Sequence, residues 1–378
     1  MVNFLFWFFS SVIIFTYFGY PLLLIIISVF RKNQAQKANF FPTVSIIIAV
    51  HNEEKVLKRR IENLLNLQYP KQKIEIIIAS DGSTDRTNEI AKSYSNKGVT
   101  LVVSESQKGK SAIQNMAVSQ TKGEIILFSD ADTLFKTNFL KKLVPNFFNH
   151  RVGCVTGKVI WKNLEDTSVS KFAGSYWEYE SFLRYVESKL GILHAASGQC
   201  IAVRKRIFKP IVEFAGEDIV IPLDCILSGY KVVYEPEAMA YDTLVSSVGG
   251  EFSWRSRTAT RTIRGILSKK QLLNPFRYPS IAVTIIFHPL LRYFVPFLLI
   301  LTFICNIFLL NSCFYKILFA FQVIFYSFAI IGYFLNTKRI KIKVFAYPFS
   351  FCFAHLAFMV GTIRAIMGKD IIAYRSVE

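Results

Sequence analysis

The chain has 378 residues, 52% of them apolar and 15% aromatic, with a mean hydropathy of +0.35, which excludes intrinsic disorder and argues against a wholly soluble protein. Lys and Arg outnumber Asp and Glu by 45 to 26, a formal charge of +19; a basic chain with long apolar stretches suits an anionic membrane face or a phosphate-bearing ligand, and no nucleic-acid motif is present, so nucleic acid is not expected as a partner. The six Cys are scattered and no C-x-x-C occurs, so neither a disulfide framework nor a zinc site is expected.

Residues 4–30 form a nearly unbroken apolar run without a charge, long enough to cross a bilayer. No Lys or Arg precedes Arg31 and the run exceeds the apolar part of a signal peptide, so residues 1–30 read as a retained anchor. Arg31, Lys32 and Lys37 follow, which by the positive-inside rule places the next segment in the cytoplasm.

Residues 38–245 alternate strand and helix. β-Branched runs at 44–50, 74–79, 100–103 and 124–128 predict strands buried on both faces, and apolar periodicity predicts helices over 53–67, 84–94 and 111–119. That is an α/β pattern of βαβ units with a mostly parallel sheet, and ligands on such sheets bind at the carboxyl ends of the strands. Polar clusters fall at those ends: His51-Asn52-Glu53, Ser80-Asp81-Gly82-Ser83 and Ser129-Asp130-Ala131-Asp132.

Residues 250–275 hold an amphipathic helix with Arg257, Arg261 and Arg264 on one face and Ala259, Ile263 and Ile266 on the other. It suits a membrane interface where arginines meet lipid phosphates, or a site where one arginine holds a diphosphate. Residues 281–367 contain three further apolar runs, 281–310 (interrupted by His288 and Arg292), 317–335 and 344–363, making four spans with the anchor; residues 281–291 also read as an interfacial helix or part of a re-entrant hairpin. A basic loop at 338–343 should be cytoplasmic, which makes 311–314 an outer turn and leaves the tail outside.

Asp130 and Asp132 give the sharpest chemical signal. Two carboxylates flanking a small residue directly after a buried strand suit Mg²⁺ or Mn²⁺, hard cations that take oxygen ligands and substrate phosphates; a capped turn uses the same residues. Asp81 can accept hydrogen bonds from a base or ribose, or close an Asx-turn in which Gly82 supplies positive φ. His51 and Glu53 offer a ring and a carboxylate for a nucleoside, and His51 reads equally as an ordinary loop histidine. Lys108 and Lys110 stand before a helix, where a cation suits phosphate, and a solvated turn uses the same residues. Glu217-Asp218 fits a helix start or a general base at a cleft rim.

Together, Val-Ser-Ile-Ile-Ile-Ala-Val-His-Asn-Glu-Glu, Ser-Asp-Gly-Ser-Thr-Asp, Gly-Lys-Ser-Ala-Ile-Gln-Asn, Asp-Ala-Asp and Gly-Glu-Asp, in that order over roughly residues 42–240, resemble the membrane glycosyltransferases of family 2, which have the GT-A fold. The resemblance implies a GT-A nucleotide-sugar-binding domain inserted between transmembrane helices. It implies nucleoside contacts from Ala49, His51, Glu53 and Asp81, and diphosphate contact from Lys110. Nucleotide and metal would be held by Asp130 and Asp132, Asp218 would be the general base, and Ser197, Gly198, Gln199 and Glu217 would sit near the acceptor. Two departures stand out. His51 occupies a position that is more often Tyr, and where processive synthases carry Gln-x-x-Arg-Trp this chain has Thr258-Ala-Thr-Arg261-Thr262, keeping Arg261 alone.

The expected protein is a multi-pass enzyme of the cell (inner) membrane with a cytoplasmic catalytic domain. It would be an inverting, Mg²⁺- or Mn²⁺-dependent transferase that contacts membrane lipids and passes a sugar from a nucleotide sugar, UDP-linked by expectation, to a lipid-linked or glycan acceptor. A processive polysaccharide synthase is the alternative within enzymology, and an inactive membrane scaffold or glycan-binding protein the alternative outside it.

Overall fold

The computed structural model describes residues 1–369 apart from 31–37, 39, 164–167, 244–246, 339 and 341, and apart from the side chains of 168–173 and 175. Arg31, Lys32, Lys37, Arg339, Lys341 and the tail from residue 370 lie outside the described residues.

Among the described residues, eight strands form one sheet: β1 (Val44–Val50), β2 (Ile74–Asp81), β3 (Val99–Ser104), β4 (Ile125–Ser129), β5 (Leu134–Phe135), β6 (Val152–Trp161), β7 (Ile201–Arg204) and β8 (Lys231–Asp242), in the order β3-β2-β1-β4-β7-β6-β8-β5. β1 runs parallel to β2 and β4, and β2 to β3, as the β-branched runs predict. Beyond β4 the sheet is mixed: β7 is antiparallel to both β4 and β6, β6 and β8 are parallel, and the two-residue β5 closes the edge antiparallel to β8.

The continuous apolar character of β1 follows from burial on both faces. Ile46 and Ile48 pack against Leu57, Ile61 and Leu64 of the helix Leu57–Leu65. Ile47, on the opposite face, packs with Ile77 and with Ile113 and Ala117 of the helix Lys110–Ser119. The helix expected over 53–67 is shorter because residues 53–56 form a turn that presents Glu53 to the strand ends. The helix expected over 84–94 is Thr87–Lys92, since Asp85 accepts from the Thr87 and Glu54 amides just before it.

Among the described residues, four helices are long and apolar enough to cross a membrane: Val2–Val29, Pro279–Ile307, Cys313–Thr337 and Lys343–Ile366. Residues 281–291 run on into the rest of Pro279–Ile307 through a π-helical turn at Ile286–Leu290 that carries His288 and Pro289. The amphipathic helix spans Val248–Ser268. Ile266 packs with Ile219, Val220 and Leu223 of the helix Glu217–Leu227, while Ala259 and Ile263 pack with Tyr293 and Phe358 of the apolar helices. It approaches Lys343–Ile366 so closely that Thr260 Oγ1 donates to the Gly361 carbonyl at 3.0 Å. The helix therefore lies between the sheet domain and the apolar helices.

Candidate functional site

The strand order reverses at β1, with β2 on one side and β4 on the other, and the loops leaving these strands are tied to one another. Asn52 adopts φ of 56°, which Asn tolerates better than most residues. Its Oδ1 accepts from the Thr84 amide at 2.8 Å, and its own amide donates to Ser83 Oγ. The Glu53 amide donates to Thr87 Oγ1 at 2.8 Å. His51 Nδ1 stands 2.7 Å from the Asp81 carbonyl; a carbonyl only accepts, so this nitrogen donates.

Asp81 is buried, and its two carboxylate oxygens accept from the amides of Lys108 and Gly109 at 2.7 and 2.8 Å. Its carboxylate thus fixes the loop that launches the helix Lys110–Ser119. Gly82 has φ of +66°, and a Cβ there would lie 2.8 Å from the Gln107 nitrogen, so the turn requires glycine. Ala49 is half-buried and packs into the core.

Glu53, Lys110, Asp130, Asp132, Ser197, Gly198, Gln199, Glu217, Asp218 and Arg261 line one cavity of about 480 Å³; Ala49, His51 and Asp81 do not line it. Lys110 Nζ lies 2.5 Å from Asp130 Oδ1 and 2.5 Å from Glu217 Oε1, bridging the end of β4 to the helix Glu217–Leu227. Arg261 donates through Nη2 to the Ala215 carbonyl at 2.6 Å, just before Glu217-Asp218. The loop that carries Ser197 and Gln199 is anchored by the Ser197 amide, which donates to Thr156 Oγ1, and by the Gln199 carbonyl, which accepts from Ser129 Oγ. The Ala196 amide donates to the Asp218 carbonyl at 2.8 Å.

The electrostatics divide these acids into two groups. Burial and then the charges of Asp132 and Asp130 push Glu53 up to about 7. Asp242, at the end of β8, is pushed up to about 7 by the same causes in the same order. Asp132 opens to the cavity, yet the surrounding protein and then Asp130 raise it as well. Carboxyls crowded until they retain protons are short of positive charge, and an all-oxygen set of this kind suits a hard divalent cation. In the second group, burial would raise Glu217, but Lys110 and Arg261 hold it down, so it is ionised. Asp218 is raised, first by burial and then by the Glu217 charge, which makes it the stronger base of the pair.

Several residues in the cavity wall or packed behind it escape the sequence reading. Arg60 is fully buried; it donates to Ser129 Oγ at 2.6 Å and stacks 4.2 Å over Phe135. Burial lowers its pKa to about 9 against the pull of Asp130, Asp132 and Asp242, so it stays charged behind the acids. It shares the helical stripe of Leu57, Ile61 and Leu64, and a cation on an apolar stripe is a signal the sequence does carry. Arg184 donates to Ser197 Oγ at 2.5 Å, and Glu180, Glu187, His194 and His288 line the far end of the cavity. Arg184, Glu180 and Glu187 sit on the helix Ser168–Leu190, which has little apolar periodicity to announce it.

Residues 45–212 match the family model described as glycosyl transferase family 2. This part of the chain is a family-2 glycosyltransferase domain. A probable glycosyltransferase of Bacillus subtilis is 34% identical over 35% of this chain and 33% of its own length. A beta-monoglucosyldiacylglycerol synthase of a Nostoc species is 28% identical over 56% of this chain and 46% of its own. A poly-beta-1,6-N-acetyl-D-glucosamine synthase of Staphylococcus epidermidis is 27% identical over 57% and 53%. The chain thus spans from a third to about half of the length of these curated relatives. Among solved structures, a mannosyltransferase from Pyrobaculum calidifontis, in complex with GDP-Man and Mn²⁺, superposes with a TM-score of 0.74 over 97% of this chain and 100% of that chain at 18% identity. At that identity the likeness is one of fold, and it establishes the GT-A architecture together with the apolar helices around it.

Proposed function

We propose that the chain is an inverting, divalent-cation-dependent transferase that moves a sugar from a nucleotide sugar, a UDP-sugar by preference, to a hydroxyl of a lipid-linked or glycan acceptor. The observation that carries this reading is the bridge of Lys110 between Asp130 and Glu217, which joins the acidic strand end to the Glu217-Asp218 helix start in one cavity. Asp132 with Asp130 would hold Mg²⁺ or Mn²⁺, which when bound supplies charge neutralisation on the departing diphosphate. Lys110 and Arg261 are the protein's own cations for the same phosphates. His51 and Glu53 would face the nucleoside from the β1 end, with Asp81 setting the loop beside them.

On the other side, Asp218 would take the proton of the acceptor hydroxyl as its oxygen bonds to the anomeric carbon and the bond to the diphosphate breaks. General-base help of this kind is worth roughly 10²–10⁴-fold in rate. Ser197, Gly198 and Gln199 would form the acceptor rim. The apolar helices support a membrane location, with the basic segments around 31–37 and 338–343 favouring a cytoplasmic catalytic domain at the inner membrane in contact with its lipids. The named activity of the Nostoc relative, a monoglucosyldiacylglycerol synthase, supports a lipid acceptor.

The test offers a panel of nucleotide sugars to the purified full chain in detergent with Mn²⁺ and a diacylglycerol or lipid-linked acceptor, reading released nucleotide and product length. One donor should be consumed with one or a few sugars added. Consumption of none overturns the proposal, and a ladder of long chains would assign the processive alternative.

A further inference from the structure

In the same cavity, a buried group of side chains lies outside the roles proposed above. Glu187 lies on the helix Ser168–Leu190, His194 in the loop that follows it, and His288 in the π-helical turn of Pro279–Ile307. All three are at least nine-tenths buried, with relative exposures of 0%, 2% and 7%, and their ligating atoms all lie within 4.8 Å of one another. Glu187 Oε1 accepts from the Tyr20 hydroxyl at 2.8 Å and faces His288 Nδ1 at 2.7 Å. Glu187 Oε2 and His194 Nδ1, both buried, have no hydrogen-bond partner. They point at each other across 3.6 Å, too far for a hydrogen bond.

A plain ion-pair network leaves those two atoms unexplained. Glu180 pairs with Arg292 and with His288 Nε2, and His288 Nδ1 faces Glu187 Oε1, so the remaining charges are matched without Glu187 Oε2 and His194 Nδ1. What remains is one carboxylate and two imidazoles converging on a space that touches the cavity. The geometry points to a metal site, separate from Asp130 and Asp132, in which Glu187, His194 and His288 hold a zinc-class divalent ion. The donor chemistry selects the ion: imidazole nitrogens favour zinc and its transition-metal neighbours, whereas Mg²⁺ and Mn²⁺ prefer oxygens. Zinc bonds N and O at about 2.0–2.2 Å, so a cluster of this span needs to close by about an ångström. His288 Nε2 lies 3.3 Å from Glu180 Oε2, the carboxylate–imidazole–metal arrangement that orients a ligating ring. The π-helical turn, a local irregularity often found at functional sites, is what carries His288. The cavity provides an entry path and an open fourth position. Cysteine spacing has no bearing on such a site, since its ligands come from segments about a hundred residues apart. Bound there, the ion fastens the sheet domain to the apolar helix Pro279–Ile307 at the acceptor end of the cavity.

The full chain, purified in detergent and stripped with chelator, is exposed to Zn²⁺ with Mg²⁺ in excess to keep oxygen-ligand sites filled, then washed and assayed for metal by mass spectrometry. One zinc per chain is expected in the natural protein and in Asp132→Asn. At least tenfold weaker retention is expected in Glu187→Gln and in His194→Ala. Less than a tenth of an equivalent in the natural protein overturns the proposal, as does full retention in both cluster variants or loss in Asp132→Asn. Because a substitution in a buried network can disturb folding, the Co²⁺-loaded natural protein provides a second measurement that needs no variant. Tetrahedral nitrogen-ligated absorption bands support the site, and octahedral bands or none overturn it.

Discussion

Asp218 and Glu217 are adjacent in sequence and opposite in character. Lys110 and Arg261 keep Glu217 ionised, while burial and its neighbour's charge leave Asp218 with a raised proton affinity. Asp218→Asn should lower transfer by about 10²-fold or more while nucleotide binding, measured by equilibrium dialysis, stays within a few-fold. Equal loss of both would remove Asp218 from the role of base. The crowded acids make a second prediction. Glu53 and Asp242 are raised from ordinary values of 4.5 and 3.8 to about 7. The stability these groups contribute is therefore complete at acid pH, below their ordinary values, and is lost as pH rises through about 7. Without metal, Tm should fall over that interval, and the fall should shrink in a Glu53→Gln, Asp242→Asn double variant. Added Mn²⁺ should raise Tm more above pH 7 than below it, because protons then no longer compete for the oxygens. Asp130, Asp132 and Asp218 were legible in the sequence because their motifs are local. Asp242 and Arg184 were not, because only long-range pairing of β8 and of the Ser168–Leu190 helix brings them to the cavity.

The elements divide along the same line. β1, β2 and β4 are legible because strands buried on both faces must be apolar throughout. β8 is not, because a Glu-Pro-Glu stretch at 235–237 interrupts it and its pairing with β6 shifts register twice. The Val248–Ser268 helix is legible as amphipathic, yet its apolar face meets other helices. That contact depends on Gly361, where a Cβ would stand 2.4 Å from the Ser256 carbonyl oxygen, whereas a Cβ on Gly249 would meet nothing within 4 Å. Gly361→Ala should cost about 1–3 kcal/mol of stability through forced separation of the two helices. Gly249→Ala, in the Val248–Ser268 helix, should be neutral or stabilise by up to about 1 kcal/mol. Thermal unfolding in detergent compares the two, and an equal response would deny the close approach.

At the scale of the whole molecule, the catalytic domain and the apolar helices are joined by buried charge. Glu180, from the sheet domain's long helix, pairs with Arg292 of Pro279–Ile307. Arg292→Met alone should destabilise by about 3–5 kcal/mol, because it takes the permanent cation away from a buried carboxylate and leaves it only His288. Adding Glu180→Leu to it should recover most of that loss, and a double variant no more stable than the single one would show that the pair is not the cause. The four apolar helices were legible from hydropathy, since nothing but length and apolarity is required of them. Their attachment to the domain was not, because Glu180 and Arg292 are 112 residues apart.

The single ammonium of Lys110, shared between Asp130 and Glu217, carries a consequence for the order of events. A phosphate that draws this cation toward itself takes a counter-charge away from Glu217, next to Asp218. On the proposed roles, the half of the cavity for the incoming hydroxyl would therefore become more electronegative only after the other half is filled. An enzyme working in this way would sense its first substrate through the loss of a shared ion.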